Sequence, residues 1–189
     1  NMETKVVLVN PPFQEEEIFG QTKSMKSVMN IIQPLGIAYI AAVLEKNDID
    51  VEIIDACVGD MTHKDVIKKL QKENPDIVGV TSTTPSFEST LKTSNLIKES
   101  LSDTKIVIGG PHVTALPEYA LSFGCFDIGV IGEGEYTALE LVRELEKDKP
   151  ELKNVKGIAY KENGKFFSTD RREFIKNLDE LPVPARHLL

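Results

Sequence analysis

The residues able to do chemistry gather in five short segments, each directly after an apolar run. They are Asn10-Pro11-Pro12-Phe13, Asp55-Ala56-Cys57-Val58-Gly59-Asp60, Thr81-Ser82-Thr83-Thr84-Pro85-Ser86, Gly109-Gly110-Pro111-His112 and Gly132-Glu133-Gly134-Glu135. Glycine, small hydroxyls and proline dominate them. Glycine lets a backbone approach a flat or bulky ligand closely and tolerates positive φ. Hydroxyls supply neutral hydrogen bonds without filling space. The combination suits a large, mostly uncharged ligand better than a small anion. Glu133 and Glu135 have the types of a general acid/base pair. Acidic residues also suit a helix start, where the backbone dipole is positive, and a loop-ordering role is the expectation for both. His112 is the one histidine at this edge, with hydrogen bonding or loop structure as its expected role. His63, at a helix start, and His187, in the tail, read as surface residues. Cys57 reads as a small half-buried residue near a strand end. Ser86 is the expected cap of the following helix, without a capping box, because Ser89 stands where Glu or Gln would close one. No catalytic residue and no metal-ligand set is expected among these segments.

The elements that must position them follow from the hydrophobic pattern. Residues 5–9, 51–55, 77–81, 105–108 and 128–131 are short Val/Ile-rich runs bounded by Gly, Pro, Asn or Asp. Continuous rather than alternating hydrophobicity marks strands covered on both faces, hence a parallel sheet. Between them, 35–46, 63–72, 87–101, 115–123 and 136–147 have helical character. In Val66, Ile67 and Leu70, and in Leu139, Leu141, Val142 and Leu145, apolar positions recur every three or four residues. Five strand–helix alternations predict an α/β fold, a doubly wound five-stranded parallel sheet with right-handed crossovers. The expected strand order is 2-1-3-4-5, from the fold class. In such a sheet ligands bind beyond the carboxyl ends of the strands, which is where the five segments lie. After about residue 150 the texture changes. Glu162-Asn163-Gly164 between β-prone runs predicts a small hairpin, and the proline-containing tail from Asp179 to Arg186 reads as a linker. The expected division is a ligand-binding α/β domain at 1–150, followed by hairpin and linker at 151–189.

Composition narrows the classes further. The 189 residues carry 41% hydrophobic and 28% charged residues, enough for a core and a hydrated surface. A net charge of -8 argues against a nucleic-acid partner. No apolar run reaches the roughly 18 residues of a membrane helix, and the first residues lack a secretory pattern. The two cysteines, Cys57 and Cys125, fit a reducing cytoplasm and are too few for a disulfide framework, a structural zinc site or an iron–sulfur cluster. The stretch from residue 13 to about 33 has no clear period, and 15–30 is an expected flap. The common ligand loops are missing. Asn10-Pro-Pro-Phe is no dinucleotide fingerprint, no Gly-Lys-Ser/Thr phosphate loop occurs, and a receiver domain's acidic cluster and phosphoacceptor are replaced by Asn10 and Thr81.

Asn10-Pro-Pro, Pro34-Leu35-Gly36 at the opening of the first helix, Gly109-Gly110-Pro111-His112 and Gly132-Glu133-Gly134-Glu135 resemble the N-terminal half of cobalamin-dependent radical S-adenosylmethionine (SAM) proteins. The tail Leu178-Asp-Glu-Leu-Pro-Val-Pro-Ala-Arg186 resembles the linker before their catalytic barrel. Each motif alone is common; their shared order and spacing over nearly the whole chain carry the resemblance. It implies a flavodoxin-like, Rossmann-like cobalamin (B12)-binding domain serving a barrel with a 4Fe-4S cluster and SAM, in a parent enzyme that is often a methyltransferase. The barrel's Cys-x-x-x-Cys-x-x-Cys is absent here, so the chain alone is expected to be inactive.

The resemblance also implies roles. Ser82, Thr83 and Thr84 correspond to the segment lining the pocket for the displaced dimethylbenzimidazole, and Gly109 and Gly110 to backbone along the nucleotide tail. Gly132, Glu133 and Gly134 correspond to the loop around that nucleotide. Asn10, Pro11 and Pro12 would form the corrin-facing rim, or equally a structural turn, with Asp55, Cys57, Pro111 and His112 at the same edge. The family's Asp-x-His-x-x-Gly motif has no counterpart, since neither Asn10-Pro-Pro-Phe nor Asp55-Ala-Cys57 supplies the histidine. Base-off, His-off binding is therefore expected. A stand-alone B12 carrier or sensor and a cofactor-free docking domain remain the alternatives.

Overall fold

A computed structural model of the protein describes residues 4–12, 33–58 and 61–189. Phe13, the expected flap at 15–30, and Gly59-Asp60 lie outside the described residues. Five strands run parallel: β1 (Lys5–Asn10), β2 (Asp50–Asp55), β3 (Ile77–Thr81), β4 (Lys105–Gly109) and β5 (Ile128–Val130). Their order is β2-β1-β3-β4-β5, as expected from the fold class. The helices are α1 (Leu35–Glu45), α2 (His63–Glu73), α3 (Phe87–Ser100), α4 (Pro111–Ala115), α5 (Pro117–Ser122) and α6 (Glu135–Leu145).

The continuous Val/Ile runs are buried on both faces, and side-chain alternation splits them between two cores. Val6, Leu8, Ile77, Val107 and Val130 face α1 and α6. Val7, Val9, Val78, Val80, Ile106 and Ile108 face α2, α3, α4 and α5. Each β1 residue from Val6 to Leu8, and Val9, is at most 5% exposed, which only a doubly covered strand allows. The result is a three-layer α/β domain.

Local chemistry sets several boundaries. Thr62 closes a capping box with Asp65 at the start of α2, and Asn74 ends that helix in the left-handed conformation, φ 47°. Residues 115–123, expected as one helix, form parts of two short ones. Pro117 has no N–H to donate, and proline disfavours a helical conformation in the preceding residue, so Leu116 breaks the run at φ -134°, ψ 59°. His63 is a correction: it is buried rather than superficial, and its Nδ1 lies 2.9 Å from Thr93 Oγ1 on α3. The helix start places it on the face that packs against α3, a contact the local sequence does not reveal.

The hairpin forms where Asn-Gly predicts it, between β6 (Ile158–Glu162) and β7 (Lys165–Ser168), with Asn163 and Gly164 at φ 50° and 76°. It is not detached from the sheet. β6 pairs antiparallel with β5, and β7 with β6, so the five parallel strands continue into a seven-stranded sheet. Ile158 and Ala159 are fully buried, one toward each core. The tail read as a linker also packs on the domain. Ala185 is 1% exposed and donates its N–H to Ala38 O at 3.0 Å, while Leu181 and Leu188 pack against the α1 core. Among the described residues no helix is long and apolar enough to cross a membrane.

Candidate functional site

The carboxyl ends of the parallel strands open into a cavity of about 230 Å³ between the sheet and the helices α1 and α6. Its floor is Leu8 of β1, Gly79, Val80 and Thr81 of β3, Val107 and Gly109 of β4, and Val130 of β5. Gly36, Ile37 and Ile40 of α1 form one wall. Gly110, the loop from Gly132 to Glu135 and Ala138 of α6 close the rest. The lining is aliphatic apart from Thr81 and the two glutamates.

Glycine makes this space. A Cβ on Gly109 would have Val130 Cβ, 4.0 Å away, as its nearest neighbour, so a side chain there would project into the cavity. A Cβ on Gly79 would meet Leu8 Cδ2 at 2.7 Å, and one on Gly134 would meet Ile40 Cδ1 at 2.9 Å. Gly110 works differently. It holds φ 105°, and a Cβ would strike the Ser82 carbonyl oxygen at 2.5 Å. The Gly109 carbonyl accepts the Ser82 N–H at 2.9 Å and the Ser82 carbonyl accepts the His112 N–H at 3.3 Å, so this step locks β4 against the exit of β3.

The expected site residues fall into three groups along the edge. Gly109, Gly110, Gly132, Glu133 and Gly134 meet at the cavity. Asn10, Pro11, Asp55 and Cys57 form a separate knot at the ends of β1 and β2. Asp55 Oδ1 accepts from Asn10 Nδ2 at 2.9 Å and from the Cys57 N–H at 3.2 Å, and the Cys57 thiol donates to Pro11 O at 3.1 Å. The Pro12 carbonyl accepts from the Ser89 hydroxyl of α3. Ser82, Thr83, Thr84, Pro111 and His112 form the third group, and none of them lines the cavity. Ser82 is buried under Gly110, and its hydroxyl donates to Thr83 O. Thr83 and Thr84 are exposed. Ser86 stands at the N-cap position of α3 without capping it; its Oγ accepts the Thr83 N–H at 2.9 Å and tightens the loop. Thr81 is the hydroxyl-bearing residue that lines the cavity.

His112 is fixed by packing. Its ring stacks on Phe87 with centroids 4.0 Å apart, and Nδ1 lies 3.3 Å from Thr84 Oγ1. Burial holds its pKa below the ordinary value and favours the neutral imidazole. In the Gly132–Glu135 loop, Glu133 Oε2 accepts the Ile175 N–H at 2.7 Å, so one acid is committed to the tail. Burial pushes the Glu135 carboxyl up, with the Glu133 charge adding to it. Among the described residues no cluster of three or more His, Cys, Asp or Glu is arranged to hold a metal ion.

Ile37, Ile40, Gly79 and Ala138 belong to the cavity and were not singled out by sequence reasoning, and Gly36 entered only as part of the Pro34-Leu35-Gly36 motif. For Gly79 a signal existed: an isolated glycine inside the Ile-Val-Gly-Val strand marks a close approach. The others are ordinary residues at a helix start or on a helix face. Chemically the cavity is suited to binding, since none of its described lining residues pairs a nucleophile with a base. An engineered apolar cavity of about 150 Å³ takes a benzene, so this one admits a two-ring aromatic group, and it is smaller than the roughly 300 Å³ of a whole-ligand pocket. It would seat one ring system of a larger molecule whose bulk lies outside, across the strand ends.

Residues 23–142 match the B12 binding domain family. Over 188 residues the chain is 39% identical to an uncharacterized methyltransferase of Pyrococcus horikoshii, covering 98% of this chain and 39% of that protein. It is 28% identical to the cytidylyl-2-hydroxyethylphosphonate methyltransferase of Streptomyces wedmorensis, covering 97% of this chain and 40% of that protein. The chain thus spans about two fifths of the length of these curated relatives. Among solved structures, the cobalamin-dependent S-adenosylmethionine radical enzyme OxsB, with aqua-cobalamin and S-adenosylmethionine bound, superposes with a TM-score of 0.79 at 25% identity, over 97% of this chain and 24% of that one. The radical methyltransferase TsrM of Kitasatospora setae shares the fold at a TM-score of 0.67 and 19% identity, over 97% of this chain and 31% of that one. With an aliphatic, glycine-floored cavity at the carboxyl edge of a 2-1-3-4-5 sheet and residues 23–142 matching the family, this chain belongs to the B12-binding domain family, and cobalamin is its ligand.

Proposed function

We propose that this chain is the cobalamin-holding N-terminal module of a cobalamin-dependent radical SAM enzyme, a methyltransferase, and that it binds the cofactor base-off with no histidine on cobalt. Residues 1–150 carry the cofactor-facing edge of the binding domain, and 151–189 add the hairpin that extends its sheet and the tail leading toward a barrel of the same parent chain that carries the 4Fe-4S cluster and SAM. The observation that carries the reading is the 230 Å³ cavity: it is too small for a corrin and suited to the detached nucleotide base. Bound cobalamin supplies a cobalt centre able to carry and release a methyl group.

The chain's own residues bind and orient. Gly109 and Gly110 let the nucleotide tail pass close to the backbone, Gly132 to Gly134 close over it, and the aliphatic floor excludes water from the base. Asn10 to Pro12, braced by Asp55 and Cys57, form the rim beside the corrin, with Thr83, Thr84 and Pro111 exposed nearby. The absence of histidine from the β1 exit, together with a His112 ring packed under Phe87, supports His-off binding. Two thiols without a disulfide support a reducing, cytoplasmic setting.

The test is anaerobic titration of the chain with hydroxocobalamin and cob(II)alamin, followed by visible and paramagnetic resonance spectra. The expected result is base-off cob(II)alamin without nitrogen superhyperfine coupling, and binding weakened by Gly109→Leu by at least about tenfold. At its Cβ that substitution has no neighbouring atom closer than 4.0 Å, and circular dichroism of the variant checks that the fold is retained. Nitrogen coupling lost in His112→Ala would replace His-off binding by ligation through His112. Full binding by Gly109→Leu would refute the cavity as the seat of the base.

A further inference from the structure

The cavity changes character with depth, and the register of the sheet measures that depth. Thr81 pairs with Gly109 at the level of the mouth. Two residues back along the strands, Leu8, Gly79 and Val107 stand abreast, since Leu8 is in register with Gly79 and Gly79 with Val107. Residues two apart in a strand share a face, so both levels line the cavity. Among the described residues of the lining, the polar side chains are Thr81, Glu133 and Glu135, all at the strand exits or the loop above them. The deeper level is carbon alone: Leu8, Gly79, Val107 and, from α6, Ala138. The backbone groups there are taken up by strand pairing and by the α6 bond from Ala138 N–H to Gly134 O.

Behind this level lies a second hollow of about 40 Å³. It shares Leu8, Gly79, Val107 and Ala138 with the cavity and continues toward Val6 and Ile77, one level further down the sheet. Leu8, common to both spaces, lies over Gly79, its Cδ2 2.7 Å from where a Cβ would stand. The lining of the hollow is aliphatic or glycine throughout. Such a space offers water nothing to bond to, and only carbon gains by filling it.

We propose that the deep wall of Leu8, Gly79, Val107 and Ala138 selects among cobamides by the far edge of the lower base. It accepts a base whose far edge is alkylated carbon, such as dimethylbenzimidazole, and disfavours an adenine-type base. This inference rests on the reading of the cavity as the seat of the nucleotide base, and it adds the chemical class that the seat prefers. In either base the five-membered ring is tied to the sugar, so it stays toward the mouth and the six-membered ring enters first. The far edge of dimethylbenzimidazole is two methyl groups, which lose water against the wall and the hollow behind it. The far edge of adenine is an amino group and ring nitrogens, which give up water and find no donor or acceptor at that depth.

The experiment measures binding of four corrinoids to the full 189-residue chain by visible spectroscopy. They are cobalamin, the cobamide with unmethylated benzimidazole, the cobamide with adenine, and cobinamide, which has no nucleotide. Each is reduced to the four-coordinate cob(I) form, in which no base sits on cobalt, so detaching the base costs nothing in any of them. Two buried methyl groups are expected to give cobalamin about a tenfold advantage over the benzimidazole form. The adenine form, with its unpaired polar edge, is expected to bind about tenfold more weakly than the benzimidazole form. Ala138→Leu, a substitution that a helix tolerates, fills the hollow. It should cancel or reverse the preference for the methylated base and leave cobinamide unchanged, with circular dichroism confirming the fold. Val107→Thr sets a hydroxyl at the same depth in nearly the same shape, and should narrow the gap between the adenine and benzimidazole forms. Equal wild-type affinity for the three tailed cobamides, or tightest binding of the adenine form, overturns the inference. So does a methyl preference that survives Ala138→Leu in the folded variant. If Gly109→Leu then still weakens all three and spares cobinamide, the cavity remains the seat of the base and only its selectivity falls. If the wild-type chain holds cobinamide as tightly as the tailed cobamides, and Gly109→Leu changes none of them, both readings fall together.

Discussion

Gly109 and Gly110 are neighbours with opposite reasons for lacking a side chain. At Gly109 the backbone has an ordinary φ and the missing atoms leave open space, so the glycine matters to the ligand. At Gly110 the left-handed φ of 105° and the Ser82 backbone, 2.5 Å from a notional Cβ, make glycine a requirement of the fold. Gly110→Ala is therefore expected to lower unfolding free energy by about 2 kcal/mol, while Gly109→Leu leaves it near the wild-type value. Urea denaturation of the two variants, read by circular dichroism, checks this. Equal stability losses would mean that the two positions do not divide the labour in this way. The same comparison governs which variant serves as a binding probe: a loss of cobalamin in Gly110→Ala would report a damaged loop.

At the scale of the element, α2 shows how far local chemistry can specify a boundary. The Thr62 Oγ1 accepts the Asp65 N–H at 3.3 Å, and Asp65 Oδ2 accepts the Thr62 N–H at 3.1 Å and its hydroxyl at 2.6 Å. These bonds from Thr62, more than the nearby Lys68, hold the Asp65 carboxyl below the usual carboxylate range. Its contribution is present above the unfolded pKa and disappears as pH falls through the depressed folded value. Thr62→Ala is expected to destabilise the domain by about 1 kcal/mol at neutral pH and by less in acid. Thermal melts at two pH values test both the loss and its direction. α3, in contrast, begins without a side-chain cap. Ser86 turns its hydroxyl back to Thr83, so the serine of that loop shapes the loop rather than the helix.

At the scale of the molecule, the chain after residue 150 is part of the domain's structure. β6 covers the edge that β5 would otherwise expose, and an uncovered edge of this kind is prone to pair with other chains. The tail returns across α6 and α1. Arg172 Nε donates to Thr137 Oγ1 at 2.9 Å, Ile175 to Glu133, and Ala185 to Ala38 on α1. Removing residues 177–189 takes the Leu181, Ala185 and Leu188 packing off α1, and the expected loss is about 3 kcal/mol of stability. Because α1 walls the cavity, the same truncation is expected to weaken cobalamin binding. A truncated chain that melts with the full one would show that the tail only rests on the surface.

The parallel sheet, its strand order and the loops at its carboxyl edge were legible in the sequence because each strand is buried on both faces. Burial of that kind leaves continuous Val/Ile runs ended by glycine and proline, and those runs force the alternation with helices. The hairpin was legible for an equally local reason, since Asn163 and Gly164 adopt the two positive φ values that its turn requires. Which loop residues converge was not legible. Gly109 reaches the cavity while Thr83 and Thr84 face solvent. Glu133 is tied to the tail while Glu135 stays at the start of α6. His63 is interior, and the supposed linker is packed. Each of these depends on which helix covers which face of the sheet, and on contacts between residues far apart in the chain, from His63 with Thr93 to Ala185 with Ala38, for which no neighbouring residues leave a signature. The sequence alone determined that a large, neutral ligand meets the carboxyl edge of this sheet; only the tertiary packing of α1 and α6 decided where a cavity opens and which loop residues line it.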